Sequence, residues 1–323
     1  MIKPKVYIEE KLPKKVLDYI GTYCEYEMWQ GDGKISRKEL LQKISDKDGI
    51  ILMGRRVDEE FLNAAPKLKV VSNVSVGYNN FDLEAMKKRK IIGTNTPYVL
   101  DDTVADLIFG LILSSARRIP ELDRYVKEGK WESKDSDNLF GIDVHHKNLG
   151  IIGMGRIGEK VAKRAKLGFD MEVFYYNRNR KKEAEEKIGA KYCDMNTLLK
   201  ISDFIVLMTP LTKETYHLID AEEFNLMKST AIFINASRGQ TVNEKALIEA
   251  LKNKKIFGAG LDVFEIEPVK KDNELLNMPN VITLPHIGSA TEKTRFDMAM
   301  LAAENLVKGV LGEKVPNIVP ELL

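Results

Sequence analysis

The run Leu149-Gly-Ile-Ile-Gly153-Met-Gly155-Arg-Ile-Gly158 constrains this chain more than any other segment. An apolar stretch enters a glycine-rich turn and leaves it as a helical pattern over residues 159–166. Each glycine answers a separate steric demand. Gly153 permits the tight turn, Gly155 leaves the backbone open to close approach, and Gly158 lets the helix lie close to the strand. The start of that helix then offers unpaired N–H groups and a positive dipole end, which together bind an anion such as a pyrophosphate. The glycine pattern alone is weak; its place between a strand and a helix gives it weight.

The rest of the chain agrees with an α/β fold. Short apolar runs at 6–8, 26–29, 50–53, 70–74 and 91–94 alternate with helical patterns at 13–20, 36–44, 58–64 and 82–88. Ser36 followed by Glu39 has capping-box spacing. A second series begins at Asn148, with strands expected at 149–153, 171–176, 204–209, 231–236, 258–263 and 281–284. Strand and helix in turn at this rhythm predict parallel sheets with helices on both faces. Between the series lies one long helical pattern, 101–119, with Asp101 or Asp102 as its cap, followed by a polar loop at 132–138. A last helix is expected over 292–310, folding back on the first domain. The boundaries drawn from this pattern are 1–99 for the first part of a substrate domain, 100–287 for a dinucleotide-binding domain, and 288–323 for a helix completing the first.

Charge and cysteine content exclude several classes. Fifty basic and 48 acidic residues leave a formal net charge of +2, so there is no electrostatic footprint for nucleic acid and no basic membrane face. The longest apolar stretch, 107–113, is too short to span a bilayer. The N-terminus lacks the apolar core of a signal peptide. Cys24 and Cys193 are far apart, with no cysteine or histidine at ligand spacing, so neither a disulfide nor a metal site is expected. Two isolated thiols suit the reducing cytoplasm.

The second strand of the later series ends in Asn177-Arg178-Asn-Arg180. A site for NAD(H) usually places a carboxylate there, on the ribose 2′-hydroxyl. Asn177 cannot repel a 2′-phosphate, and Arg178 and Arg180 can pair with one. NADP(H) is therefore the expected cofactor, with NAD(H) second. Three further strands are followed by Arg238, by Glu265 and Glu267 ahead of Pro268, and by His286. Ligands bind beyond the carboxyl ends of strands in open α/β sheets. Reduction of a keto acid needs a permanent cation for a carboxylate and a polarised carbonyl, which is arginine's role. It also needs a proton donor that titrates near neutrality, which is histidine's. A neighbouring carboxylate orients that histidine and favours its charged form. Singly, a strand-end arginine reads as a surface ion pair and a lone histidine as structural; their joint occurrence favours chemistry. His145-His146 reads as a turn, and His217 as a packed residue at a helix start. Arg55 or Arg56, after the strand at 50–53, is expected to touch a substrate tail.

The ordered runs Asn73-Val-Ser-Val-Gly-Tyr-Asn-Asn80, Gly150-Ile-Ile-Gly-Met-Gly-Arg-Ile-Gly158, Thr209-Pro-Leu-Thr212, Asn235-Ala-Ser-Arg-Gly239, Gly260-Leu-Asp-Val-Phe-Glu-Ile-Glu-Pro268 and Leu284-Pro-His-Ile-Gly-Ser-Ala290 resemble the D-2-hydroxyacid dehydrogenase family. The likeness covers nearly the whole chain and points to the glyoxylate/hydroxypyruvate reductase and 2-ketogluconate reductase branch. It implies two domains with parallel sheets, a Rossmann dinucleotide-binding domain and a flavodoxin-like substrate domain. It implies that Arg238 binds substrate carboxylate and carbonyl, that His286 is the proton donor, and that Glu267 rather than Glu265 is its partner. Val76 and Gly77 would hold the substrate carboxylate through backbone N–H groups. Arg156 and Ile157 would touch the pyrophosphate. Thr103, Pro210, Ala236, Ser237, Asp262, Gly288 and Ser289 would line the rest of the cofactor site. The resemblance also implies a homodimer formed through the long helix and the loop near Trp131. Competing readings are an NAD-dependent D-3-phosphoglycerate or D-lactate dehydrogenase, which the missing carboxylate disfavours, and a dinucleotide-sensing corepressor scaffold.

Overall fold

The computed structural model describes residues 2–134 and 139–323, so part of the expected 132–138 loop lies outside the described residues. The chain forms two compact units: the residues up to Leu100 together with Ala290–Leu323, and Asp101–Ser289.

The first unit holds β1 (Lys5–Ile8), α1 (Lys14–Tyr23), β2 (Glu25–Met28), α2 (Arg37–Lys43), β3 (Gly49–Leu52), α3 (Glu59–Ala64), β4 (Val70–Asn73), α4 (Leu83–Lys88) and β5 (Ile92–Thr94). Its five strands are all parallel, in the order β2-β1-β3-β4-β5. Local chemistry sets the helix starts. Ser36 and Glu39 form the reciprocal capping box, and Asp58 and Asp82 each accept the N–H three residues on. The final helix, α12 (Glu292–Val310), returns to cover β3 and β4. Gly49 makes room for it, since a Cβ there would sit 2.7 Å from Leu306. The buried Ser72 hydroxyl donates to the Ala302 carbonyl at 2.8 Å.

The second unit begins with α5 (Asp101–Ala116) and α6 (Ile119–Lys127). The helix expected over 101–119 ends at Ala116, and α6, which sequence reasoning did not assign, begins at Ile119. Arg118 adopts a left-handed backbone (φ +56°), and Ile119-Pro120 restart the chain, because proline tolerates only the first turn of a helix. Asp101 and Asp102 stand in the first turn of α5, not ahead of it, where their charge meets the positive end of the dipole. There follow β6 (Asn148–Ile152), α7 (Arg156–Phe169), β7 (Glu172–Tyr176), α8 (Lys182–Ile188), β8 (Lys191–Tyr192), α9 (Met195–Ile201), β9 (Phe204–Leu207), α10 (Ala221–Leu226), β10 (Ile232–Asn235), α11 (Glu244–Lys252), β11 (Gly258–Leu261) and β12 (Val281–Thr283). The parallel strands run β12-β11-β10-β9-β6-β7-β8. β9, β10 and β11 are buried along their whole length, as strands covered on both faces must be. Strand order reverses between β9 and β6, which makes that junction the ligand-binding switch point of the sheet. Among the described residues no helix is long and apolar enough to cross a membrane, and no group of three potential metal ligands occurs.

Candidate active site

All strands of the second sheet are parallel, so their carboxyl ends share one edge. The β6–α7 turn lies on it. Gly153 sits at φ +105°, and a Cβ there would meet the Met208 carbonyl carbon at 2.7 Å. Gly158 would meet the Gly153 carbonyl oxygen at 2.7 Å, while Gly155 faces open space. The turn is closed on the protein side and open outward, at a helix start with unpaired N–H groups. The Thr209 hydroxyl beside it is buried with no hydrogen-bond partner. These features fit a dinucleotide pyrophosphate against Gly153, Gly155 and Gly158, with Arg156 and Ile157 opening α7. Arg156 is also drawn sideways: its Nε lies 3.2 Å from the buried Asp101 carboxylate. Burial raises the Asp101 pKa, against the opposing charge of Arg156.

At the end of β7, Asn177 accepts the Met154 N–H at 3.0 Å and donates to the Asn179 carbonyl at 3.3 Å. It ties the glycine turn to the next loop and adds no negative charge. Arg180 forms a two-pronged pair with Glu185, both contacts at 2.7 Å. Arg178 is exposed and makes no hydrogen bond or close ion pair among the described residues, its charge acting at longer range on Glu214. Of the two arginines, Arg178 is the one whose guanidinium is not already committed.

At the other end of the edge, the chain after β10 folds over its own strand. The buried Asn235 side chain accepts the Ser237 N–H (3.0 Å) and hydroxyl (2.8 Å) and donates to the Arg238 carbonyl at 3.1 Å. The turn holds Arg238 partly buried, and burial pulls its guanidinium below the ordinary value while the charge of Glu267 opposes that. After β11, Glu267 accepts the Phe264 N–H at 3.0 Å and meets His286 Nδ1 at 2.7 Å. Burial pushes Glu267 upward, but the hydrogen bond and charge of His286, then Phe264 and Arg238, more than offset it. The carboxyl therefore lies below the usual range. His286 itself sits at φ +54° beyond β12. Asp262, 1% exposed, fixes that turn: its two oxygens accept the Ile287 N–H at 2.7 Å and the Gly288 N–H at 2.8 Å, while its carbonyl accepts the His286 N–H at 2.9 Å. With Nδ1 against Glu267, Nε2 is the nitrogen left to exchange a proton.

The remaining expected residues fall as follows. Thr103 is on the first turn of α5, Pro210 follows β9, Ala236 and Ser237 follow β10, and Gly288 and Ser289 follow β12. Val76 and Gly77 lie in the first unit beyond β4, in a loop organised by Asn73. That buried amide donates to Ser75 Oγ (2.7 Å), the Gly77 carbonyl (3.0 Å) and Asn80 (3.3 Å), and accepts the Gly54 N–H at 3.1 Å. Asn95 holds the Val76 carbonyl at 2.8 Å. Sequence reasoning quoted Asn73 and missed this role, although an asparagine closing a buried apolar strand was the available signal. Arg55, one of the two arginines expected at a substrate tail, pairs through its guanidinium with the buried Glu9 and donates to the Ile35 carbonyl. Arg56 is exposed beside Asp58. His217 is not at a helix start but in a turn upstream of α10, at φ +50°, its ring packed on Tyr216 and also paired with Glu265.

Compared with known proteins, residues 109–288 match the family model described as D-isomer specific 2-hydroxyacid dehydrogenase, NAD binding domain. The chain is 49% identical over 323 residues to the glyoxylate reductase of Thermococcus litoralis, covering 98% of this chain and 97% of that one. It is 45% identical over 318 residues to glyoxylate/hydroxypyruvate reductase B of Escherichia fergusonii, covering 98% of each. The solved NADPH-dependent glyoxylate/hydroxypyruvate reductase of Sinorhizobium meliloti, in complex with NADP and malonate, aligns with a TM-score of 0.87 at 30% identity, over 99% of this chain and 98% of that one. With two parallel sheets, a glycine turn at the switch point and a His–Glu pair on the same edge, the chain belongs to the D-isomer specific 2-hydroxyacid dehydrogenase family, as an NAD(P)-dependent oxidoreductase acting on CH–OH groups.

Proposed function

We propose that this enzyme reduces glyoxylate and hydroxypyruvate, and 2-ketogluconate as a third substrate, to D-2-hydroxy acids, with NADPH preferred over NADH. The observation that carries the reading is the His286 Nδ1–Glu267 contact of 2.7 Å, on the same sheet edge as Arg238 and the glycine turn. A bound reduced nicotinamide supplies the hydride. The protein's part is to manage the charge that then grows on the keto oxygen. Arg238 meets that charge with a guanidinium that stays protonated despite its burial. His286 donates the proton from Nε2, and Glu267 holds the ring through Nδ1. Val76 and Gly77 hold the substrate carboxylate: their carbonyls are pinned by Asn95 and Asn73, and neither N–H has an acceptor among the described residues. Arg178 reads the 2′-phosphate, supported by Arg180, and Asn177 leaves that corner free of negative charge.

Two copies are proposed to pair through the long helix, α5, and the loop near Trp131 (66% exposed); α6, next in the chain, has no buried residue of its own and exposes Ile119 and Val126. Two free cysteines, Cys24 and Cys193, support a cytoplasmic location. Steady-state rates with the three keto acids, each with NADPH and NADH, test the function. Highest kcat/KM is expected for glyoxylate or hydroxypyruvate with NADPH, and chiral analysis should find the D product. Arg178→Ala should raise the KM for NADPH more than for NADH. Absence of turnover on all three acids, or an L product, overturns the proposal.

A further inference from the structure

His217 and Glu265 lie outside the chemistry described above, yet they join the segments that carry it. The loop from β9 brings in His217, the turn after β10 carries Arg238, and the turn after β11 carries Glu267. The His217 backbone N–H donates to the Gln240 carbonyl at 2.9 Å, and its Nε2 meets Glu265 Oε1 at 3.1 Å. Gln240 Nε2 donates to the Glu265 carbonyl at 2.7 Å, and the Glu265 N–H donates to Glu244 at 3.2 Å. Gln240 stands two residues after Arg238, and Glu265 two before Glu267. The two turns also touch through their backbones, since a Cβ on Gly239 would lie 1.8 Å from the Phe264 carbonyl group. Tyr216 stacks on the His217 ring, centroids 4.0 Å apart and planes 17° apart, and limits its rotation. A packed histidine needs only apolar neighbours; this one is bonded at both its backbone and its ring to the two turns in question.

We propose that His217, acting through Glu265, is a positioning residue that fixes Glu267 and Arg238 relative to each other, and so sets the ring of His286. The proposal rests on the reading of His286 as proton donor and Arg238 as carbonyl binder. Displacement of a reacting group by about 1 Å costs on the order of 10²-fold in rate. Glu265→Ala and His217→Ala should each lower kcat by about 10- to 100-fold, with the KM for NADPH changed less than about threefold. Because both remove one contact, the double variant should be no slower than either single one. Glu265→Gln and His217→Gln keep a hydrogen-bonding partner and should restore most of the lost rate. Without cofactor, the titration of the His286 ring followed by NMR should move in His217→Ala and return in His217→Gln.

A His217→Ala enzyme with wild-type kcat and an unmoved His286 titration overturns the proposal. So does a loss of rate that tracks a loss of melting temperature and is not restored by glutamine. His286→Ala serves as the control. If it retains turnover, the proton-donor reading fails; if it is inactive while His217→Ala is normal, only the positioning role fails.

Discussion

His286 occupies a left-handed backbone conformation that non-glycine residues adopt at a cost of order 1–3 kcal/mol. Asp262 holds it there with three hydrogen bonds, so the ring's placement depends on a buried carboxylate that does not touch it. Replacing His286 by Ala should lower kcat for reduction by about 10²–10⁴-fold, the range for a lost general acid. Glu267→Gln tests the pair. The Glu267 carboxyl lies below its ordinary value of 4.5, so it is charged throughout the neutral range. Its pairing adds stability that is present above the unfolded value and is lost as pH falls through the lower folded one. Removing that charge withdraws support from the imidazolium. The alkaline limb of the reduction profile should therefore move to lower pH in Glu267→Gln, with cofactor affinity nearly unchanged; superimposable profiles would show that Glu267 does not set the ring. Arg238, Glu267 and His286 were legible in the sequence because their residue types follow strands and complement one another. Asn235 and Asn73 stood out in the sequence only within family-like runs, and Asp262 only as a residue expected to line the cofactor site. Their work is to bind backbone groups within turns or across 25 residues, as Asp262 does to Ile287, and such bonds leave no periodicity to read.

At the scale of elements, the turns after β10 and β11 meet backbone to backbone at Gly239, where a Cβ would lie 1.8 Å from the Phe264 carbonyl group. Gly239 is there because no side chain fits, and its neighbour is backbone that cannot rotate away. Gly239→Ala should force the turns apart, with destabilisation of about 1–3 kcal/mol from overpacking and a fall in kcat of at least about tenfold as Arg238 moves. Thermal melts and initial rates on the same preparation check both; a variant normal in both would mean that the turns yield freely. Most elements could be placed from sequence because the buried strands are unbroken apolar runs and the helix starts carry Ser36, Asp58 and Asp82. Strand ends ran long by a residue or two where apolar residues such as Met208 and Ala236 continue beyond the paired ladder. β8 was missed because its two exposed residues, Lys191 and Tyr192, make no run. α6 was missed because it buries no residue and so carries no apolar face to read, while its separation from α5 resides in the left-handed backbone of Arg118.

For the whole molecule, the expected dimer through the long helix gains a second candidate surface in α6, which has no buried residue and exposes Ile119 and Val126. Light scattering on the purified protein should give twice the chain mass of 36.6 kDa, and Ile119→Asp with Val126→Asp should return it to the single-chain value. A monomeric wild type would remove the pairing through α6. The discontinuous first unit has a consequence in time as well as in space. Residues 101–289 are contiguous, whereas the faces of β3 and β4 that α12 covers are made early and covered late: Ser72 and Ala302, hydrogen-bonded partners in the finished molecule, are 230 residues apart. At ribosomal speeds of about 5–20 residues per second that separation is a delay of roughly 10–50 s. For that interval the nascent chain carries an apolar sheet face with no partner, and its yield in the cell depends on whatever shields that face until the last helix emerges.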